Sequence, residues 1–300
     1  MVDDIASLVA AELAEPVDPR VARLAERIAA GHGAAARAVL FYGSCLRESR
    51  LDGLMLDFYL IVSDYRAAYD RRWLACANRL IPPNVFPFAA DGLAAKYAVL
   101  SEEDFARACS PGARDTSVWA RFAQPSRLVW AADGRARARA VDAIARAGPT
   151  LIALTEPTMA AADLSDPLNV WCAGFALTYG AELRAERAAR PGSIVDADPD
   201  RYRRFGAAAR AIVGEGESST PDQRRAAQAG WHQVQRRGKR LTLLRLAKAS
   251  LTFAGGLDYL AWKINRHAGA GIVIRPWQRR WPILGALTLL PRLLARGAVR

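Results

Sequence analysis

Apolar positions recur at helical spacing over residues 3–15 and 19–30, with Pro16 and Pro19 between them, so the chain opens with two amphipathic helices. Gly31-His32-Gly33 ends the second. The period then changes. AVLFYGS is a short apolar run into Gly-Ser and reads as a buried strand entering a turn. A polar, basic stretch from Leu46 to Gly53 follows. LMLDFYLIV is a second buried strand with one charge in its middle. Residues 66–80 return to helical spacing, Pro82, Pro83 and Pro87 mark a loop, and LAAKYAVL reads as a third strand. SEEDFARAC begins with a serine followed by acids, which favours a helix start. The strand SRLVWA precedes a helix from about Arg135 to Ala147.

After Gly148-Pro149 the strand signals nearly vanish. Residues 150–190, 201–214 and 221–265 are helical in pattern, separated by the loops PGSIVDADPD and GEGESSTPD. The expected organisation is therefore α/β + α. An α/β domain spans 1–150, a helical domain 151–265, and a basic amphipathic tail 266–300.

Charge sharpens this division. The chain carries 42 Lys and Arg against 30 Asp and Glu, a net of +12. Residues 231–300 hold fourteen of the basic residues and one acid, Asp258, leaving 28 basic against 29 acidic in the rest. A near-neutral body with a basic C-terminal part points to an anionic partner. The tail mixes Trp262, Trp277 and Trp281 with basic flanks and the apolar run Trp281 to Pro291. That run is about half the ~20 residues a spanning helix needs, so it reads as a segment lying on an anionic membrane surface. No RNA-binding signature is present, and nucleic acid is not expected as a partner. The four scattered cysteines and three isolated histidines do not suggest zinc. The acidic start MVDDIASLVAAELAEP lacks the basic region of a secretory signal. The expected location is cytoplasmic, peripheral on the inner face of the cell membrane.

The chemistry centres on two strands. A strand ending in Gly43-Ser44, then a strand bearing Asp57, is a nucleotidyltransferase pattern. The glycine lets backbone approach a triphosphate, and the serine and nearby amides bond phosphate oxygens. The acid holds Mg²⁺, which bridges those oxygens during attack at the α-phosphate. A carboxylate inside LMLDFYLIV is costly to bury unless a metal or a partner satisfies it. The motif alone leaves two readings open, a metal ligand and a satisfied structural residue. Many polymerase-like enzymes carry Asp-x-Asp here, and position 59 is Tyr.

Taken together, FYGSCLRE, MLDFYLIVSD, LAAKYAVLSEEDF, WARFAQPSRLVW, LTYGAELR and LTFAGGLDYLAWKI resemble, in order over about residues 40–265, blocks of the mitochondrial translocator-assembly-and-maintenance family. Its members are peripheral CTP:phosphatidate cytidylyltransferases that make CDP-diacylglycerol. The resemblance implies a nucleotidyltransferase (polymerase-beta-like) domain, CTP and phosphatidic acid as substrates, and Mg²⁺ as cofactor. Carried over, it assigns Tyr42, Gly43 and Ser44 to the CTP phosphates and Asp57 to Mg²⁺. Lys96 becomes the catalytic cation, and Arg121 and Arg184 further nucleotide contacts. Tyr179, Glu182 and Arg184 would sit on the helical domain facing the cleft. In that family the position after the strand acid is commonly not a second Asp, so Tyr59 weighs less against activity.

The departures are local. Cys45 replaces a family glycine, Leu46-Arg47-Glu48 replaces Val-Phe-x-Gln, and the histidine-bearing stretch after the second strand has only Tyr69, Trp73 and Asn78 nearby. Two alternatives follow: a nucleotidyltransferase with a soluble or RNA substrate, and an inactive lipid-binding scaffold. Asp52, Asp64, Asp91, Asp196 and Asp198 are the candidates for any further metal ligand.

Overall fold

A computed structural model describes residues 4–47, 51, 53–181, 191–214, 219–252 and 274–280. Its centre is a five-stranded mixed sheet ordered β3-β4-β2-β1-β5, with β1 Ala36–Tyr42, β2 Met55–Val62, β3 Asn84–Ala90, β4 Leu93–Ser101 and β5 Ser126–Ala131. β2 and β4 run parallel, and the other neighbours are antiparallel. The central strand β2 is covered on both faces, which is why MLDFYLIV is almost continuously apolar.

One face, through Val39, Phe41, Phe58, Leu60 and Val99, packs on α2 Pro19–Ala30, α3 Tyr65–Ala68 and α4 Arg72–Leu80. The opposite face, through Leu40, Tyr59, Ile61, Leu100 and Leu128, meets a larger helical layer. That layer holds α1 Ile5–Leu13, α5 Glu102–Ala108, α6 Trp119–Phe122, α7 Gly134–Ile144, α8 Ala147–Thr155, α9 Pro167–Tyr179, α10 Pro191–Asp196 and α11 Pro199–Val213. The long α12 Pro221–Thr252 lies against it and reaches β3, and α13 Pro276–Arg280 completes the described chain.

Local chemistry sets the helix starts. Asp4 accepts from the Ser7 amide to cap α1, and Asp18 does so from Arg20 ahead of Pro19, which fits the first turn without a lost donor. Ser101 caps α5 and three acids fill its first turn.

Strands occur only before residue 132 and helices alone after it, among the described residues. Residue 150 falls inside α8, and a single apolar cluster runs from Leu40 and Tyr59 through Leu151 to Trp171, Phe175 and Tyr202.

Three local expectations are corrected. The segment around Pro87 is the strand β3, not a loop; β3 forms a sheet edge, where a residue lacking an N–H is tolerated. Pro191–Asp196, read as loop, is a short helix whose Ile194 and Val195 are buried against the α9–α11 core. The 66–80 helix is broken at Tyr69, whose backbone is extended. No helix of the described residues is long and apolar enough to cross a membrane.

Candidate functional site

The sheet register places the sequence candidates in one row. Pro87 pairs with Lys96, Lys96 with Asp57, Asp57 with Tyr42, and Tyr42 with Ser126. Directly opposed residues share a face, so Lys96, Asp57 and Tyr42 point to the side that carries the helical layer. They stand at the start of β2 and β4 and the end of β1, beside the Gly43 turn.

Lys96 Nζ lies 3.0 Å from Asp57 Oδ1. Oδ1 is enclosed, yet it receives no hydrogen bond of good geometry. The ammonium therefore compensates the carboxylate charge by proximity. Gly43 has φ +97, and a Cβ there would stand 3.4 Å from Asp57 Oδ2. The glycine thus supplies a left-handed turn and brings the main chain close to the carboxylate. Ser44 begins the 3-10 turn Ser44–Arg47 and is exposed. Cys45 is buried, and its thiol donates to the Met55 carbonyl at 3.6 Å, so it fills the turn.

Tyr42 is fixed by aromatic packing, 5.3 Å from Tyr59 and 5.8 Å from Phe122 between ring centres. Tyr59, where polymerase-like enzymes carry a second acid, belongs to this aromatic floor and touches Phe122 as well. Arg121 lies on α6, and its Nη1 donates to the Ser117 carbonyl, one turn back along the chain. Tyr179 is the last residue of α9 and packs partly buried on the core. Glu182 and Arg184 lie outside the described residues.

Three of the further acids are engaged elsewhere, and Asp196 is the last residue of α10. Asp64 caps α3 by accepting from the Arg66 and Ala67 amides at 2.7 and 3.0 Å, beyond the far end of β2. Asp91 pairs with Arg27 at 3.3 Å, and Asp198 caps α11. Asp52 lies outside the described residues. Among the described residues no group of three His, Cys, Asp or Glu side chains is arranged to hold a metal ion. Mg²⁺ commonly takes one or two carboxylates and completes its shell with substrate phosphates and water. Asp57, whose Oδ2 faces the Gly43 turn and whose Oδ1 is paired with Lys96, could take the carboxylate role of such a substrate-completed site once Lys96 turns to the phosphates.

Of the residues standing in for the family's histidine stretch, Asn78 is structural. It is fully buried, donates to the Val99 carbonyl at 3.0 Å and accepts from the Asn84 amide. Trp73 is exposed and Tyr69 is buried.

Sequence reasoning did not find the ion pair behind the row. Glu12 of α1 accepts from Arg201 of α11 and from the Ser126 amide, while Arg201 also donates to the Ala123 carbonyl at 3.2 Å. Arg201 is 3% exposed, and its guanidinium lies 4.2 Å from the centre of the Phe205 ring. Burial pushes the Arg201 pKa down, but the hydrogen bonds and charge of Glu12 outweigh it and the net shift is upward. The available signal was an acid on the same helix face as Ile5 and Val9.

Comparison with protein-family models finds no match, and comparison with curated proteins finds none either.

Proposed function

We propose that this chain is a nucleotidyltransferase that transfers CMP from CTP to phosphatidic acid at an anionic membrane surface. The observation that carries the reading is the Tyr42–Asp57–Lys96 row, with Gly43 held at positive φ against the Asp57 carboxylate. A carboxylate, an adjacent cation and a side-chain-free turn together suit a triphosphate. The acceptor and the base are drawn from the family resemblance.

In this reading a phosphate oxygen of the acceptor lipid attacks the α-phosphorus of CTP. The new P–O bond forms as the α–β bridging P–O bond breaks, and pyrophosphate leaves with the electron pair. The acceptor oxygen is already ionised near neutral pH, so no general base is required. Catalysis then rests on positioning and charge. The turn at Gly43 admits the triphosphate to main-chain amides, and Ser44 offers a hydroxyl. Lys96 swings from Asp57 toward the phosphate oxygens and offsets their charge. Tyr42, wedged between Tyr59 and Phe122, keeps the end of β1 fixed against Asp57. Mg²⁺ held by Asp57 and the triphosphate would supply charge neutralisation at the reacting phosphate. The basic tail, which lies mostly outside the described residues, would hold the enzyme on lipid.

One observation favours a second reading. Lys96 already neutralises the single acid of the row, as it would in an inactive lipid-binding scaffold of the same fold.

Pyrophosphate release decides between them. Full-length protein is given Mg²⁺ and each NTP, with liposomes containing or lacking phosphatidic acid. CTP-selective release that needs phosphatidic acid and disappears in Asp57→Ala is expected. Release with a soluble acceptor alone would move the acceptor assignment. No release under any condition would leave the scaffold.

A further inference from the structure

A cavity of about 480 Å³ opens between α12, the end of α8 and the 111–119 segment, and it contains no residue of the Asp57 row. Its volume lies in the range of small-molecule sites, roughly 300–1,000 Å³. Trp119, Leu154, Pro157, Trp231 and Val234 form its walls. Trp231 Nε1 donates to the Leu154 carbonyl at 2.9 Å, so the indole's polar edge is satisfied and the ring adds apolar wall. Trp119 meets it edge to face with ring centres 6.3 Å apart. Leu154 and Val234 remain 36% and 37% exposed, so the apolar lining opens to solvent. Covering such surface is favourable by roughly 25 cal/mol per Å².

The charge at this groove is one-sided. Arg114 and Arg237 line it, and among the described residues neither forms an ion pair. Its one acid, Asp115, is taken by Arg245, with Nη2 to Oδ2 at 2.8 Å. An adjoining cleft of about 360 Å³ shares Ala113, Arg114 and Asp115, so Arg114 stands where the two meet. An anionic head would pair with both exposed guanidiniums, and an apolar chain would cover Leu154 and Val234, beneath which the Trp119 and Trp231 rings are already buried.

We propose that this groove binds a single acyl chain with an anionic head, the chain against Leu154 and Val234 and the head at Arg114 and Arg237. It is separate from the Asp57 row and independent of the reaction proposed there.

The test uses full-length protein and dodecyl phosphate below its micellar concentration, followed by calorimetry and tryptophan fluorescence. Dodecylphosphocholine and inorganic phosphate are the controls. Saturable binding of dodecyl phosphate is expected, with Arg114→Ala and Arg237→Ala each weakening it about tenfold or more, as loss of a charged hydrogen bond implies. Gly230 lines the groove, and a Cβ added there meets nothing within 4 Å. Gly230→Leu should therefore fill the groove and abolish binding without lowering the melting temperature. Asp57→Ala should bind as wild type does, whatever its pyrophosphate result. The proposal is overturned if dodecyl phosphate does not bind, if either control binds as tightly, or if Gly230→Leu still binds. Loss of binding in Asp57→Ala would overturn the separateness of the two sites.

Discussion

Lys96 Nζ stands 3.0 Å from Asp57 Oδ1, joining neighbouring positions of the parallel strands β2 and β4. Both side chains are about a quarter exposed, so each is accessible to a ligand and neither is free in solvent. The pair is an acid and a base held at the mouth of a left-handed glycine turn.

Under the proposed reaction, Lys96→Met should lower pyrophosphate release by about 10²–10³-fold, the loss typical of removing one preorganised electrostatic contact. Lys96→Arg should recover part of it. Equal activity in wild type and Lys96→Met would remove Lys96 from the catalytic set. The measurement is kcat and KM for CTP on phosphatidic acid liposomes.

Gly43→Ala should destabilise the protein by about 1–3 kcal/mol, because alanine resists φ +97. Urea unfolding checks the stability. A wild-type midpoint would show that the turn relaxes freely.

Arg201→Leu should cost about 3–5 kcal/mol, since it leaves the Glu12 carboxylate buried without its partner. The double change Glu12→Leu with Arg201→Leu should cost less than the sum of the two single changes. Denaturation of all four proteins in a double-mutant cycle measures that coupling.

Burial, reinforced by the charge of Arg245, lowers the Lys248 pKa to about 7. Its ammonium donates to the Ile81 and Pro83 carbonyls, and Arg245 donates to Pro82 between them, clasping α12 to that loop. An unfolded lysine titrates near 10.4, so between about pH 7 and 10 the unfolded chain binds the extra proton. Stability is therefore full above about pH 10 and is lost as pH falls from about 10 to about 7, where the folded lysine also takes up its proton. Wild type should gain stability from pH 7 to 9.5 relative to Lys248→Met; parallel curves would refute this.

Gly174→Ala should cost about 1–3 kcal/mol through overpacking, because its Cβ would clash with the Leu151 side chain and the Thr155 hydroxyl of α8. Thermal unfolding reads the effect.

The strands β1, β2, β4 and β5 were legible because a doubly covered strand must be apolar along its length. Edge strand β3 was not, because Pro87 removes the local signal and only its neighbour β4 explains why a proline is tolerated there. Asp57 could be singled out as a charge in an apolar run. Its partner could be nominated from the family resemblance alone, since nothing in the 38 residues between Asp57 and Lys96 encodes that they align.

The sequence by itself determined the change from strands to helices, the helix caps, the basic C-terminal part and the isolation of Asp57. These follow from periodicity, side-chain hydrogen bonding and the cost of burying charge, all local properties. Tertiary structure alone decided the register that sets Lys96 and Tyr42 beside Asp57, the burial of Glu12 with Arg201 across 189 positions, and the groove between α8 and α12. Each depends on how distant segments pack, and side-chain periodicity along one segment carries no information about which other segment it will meet.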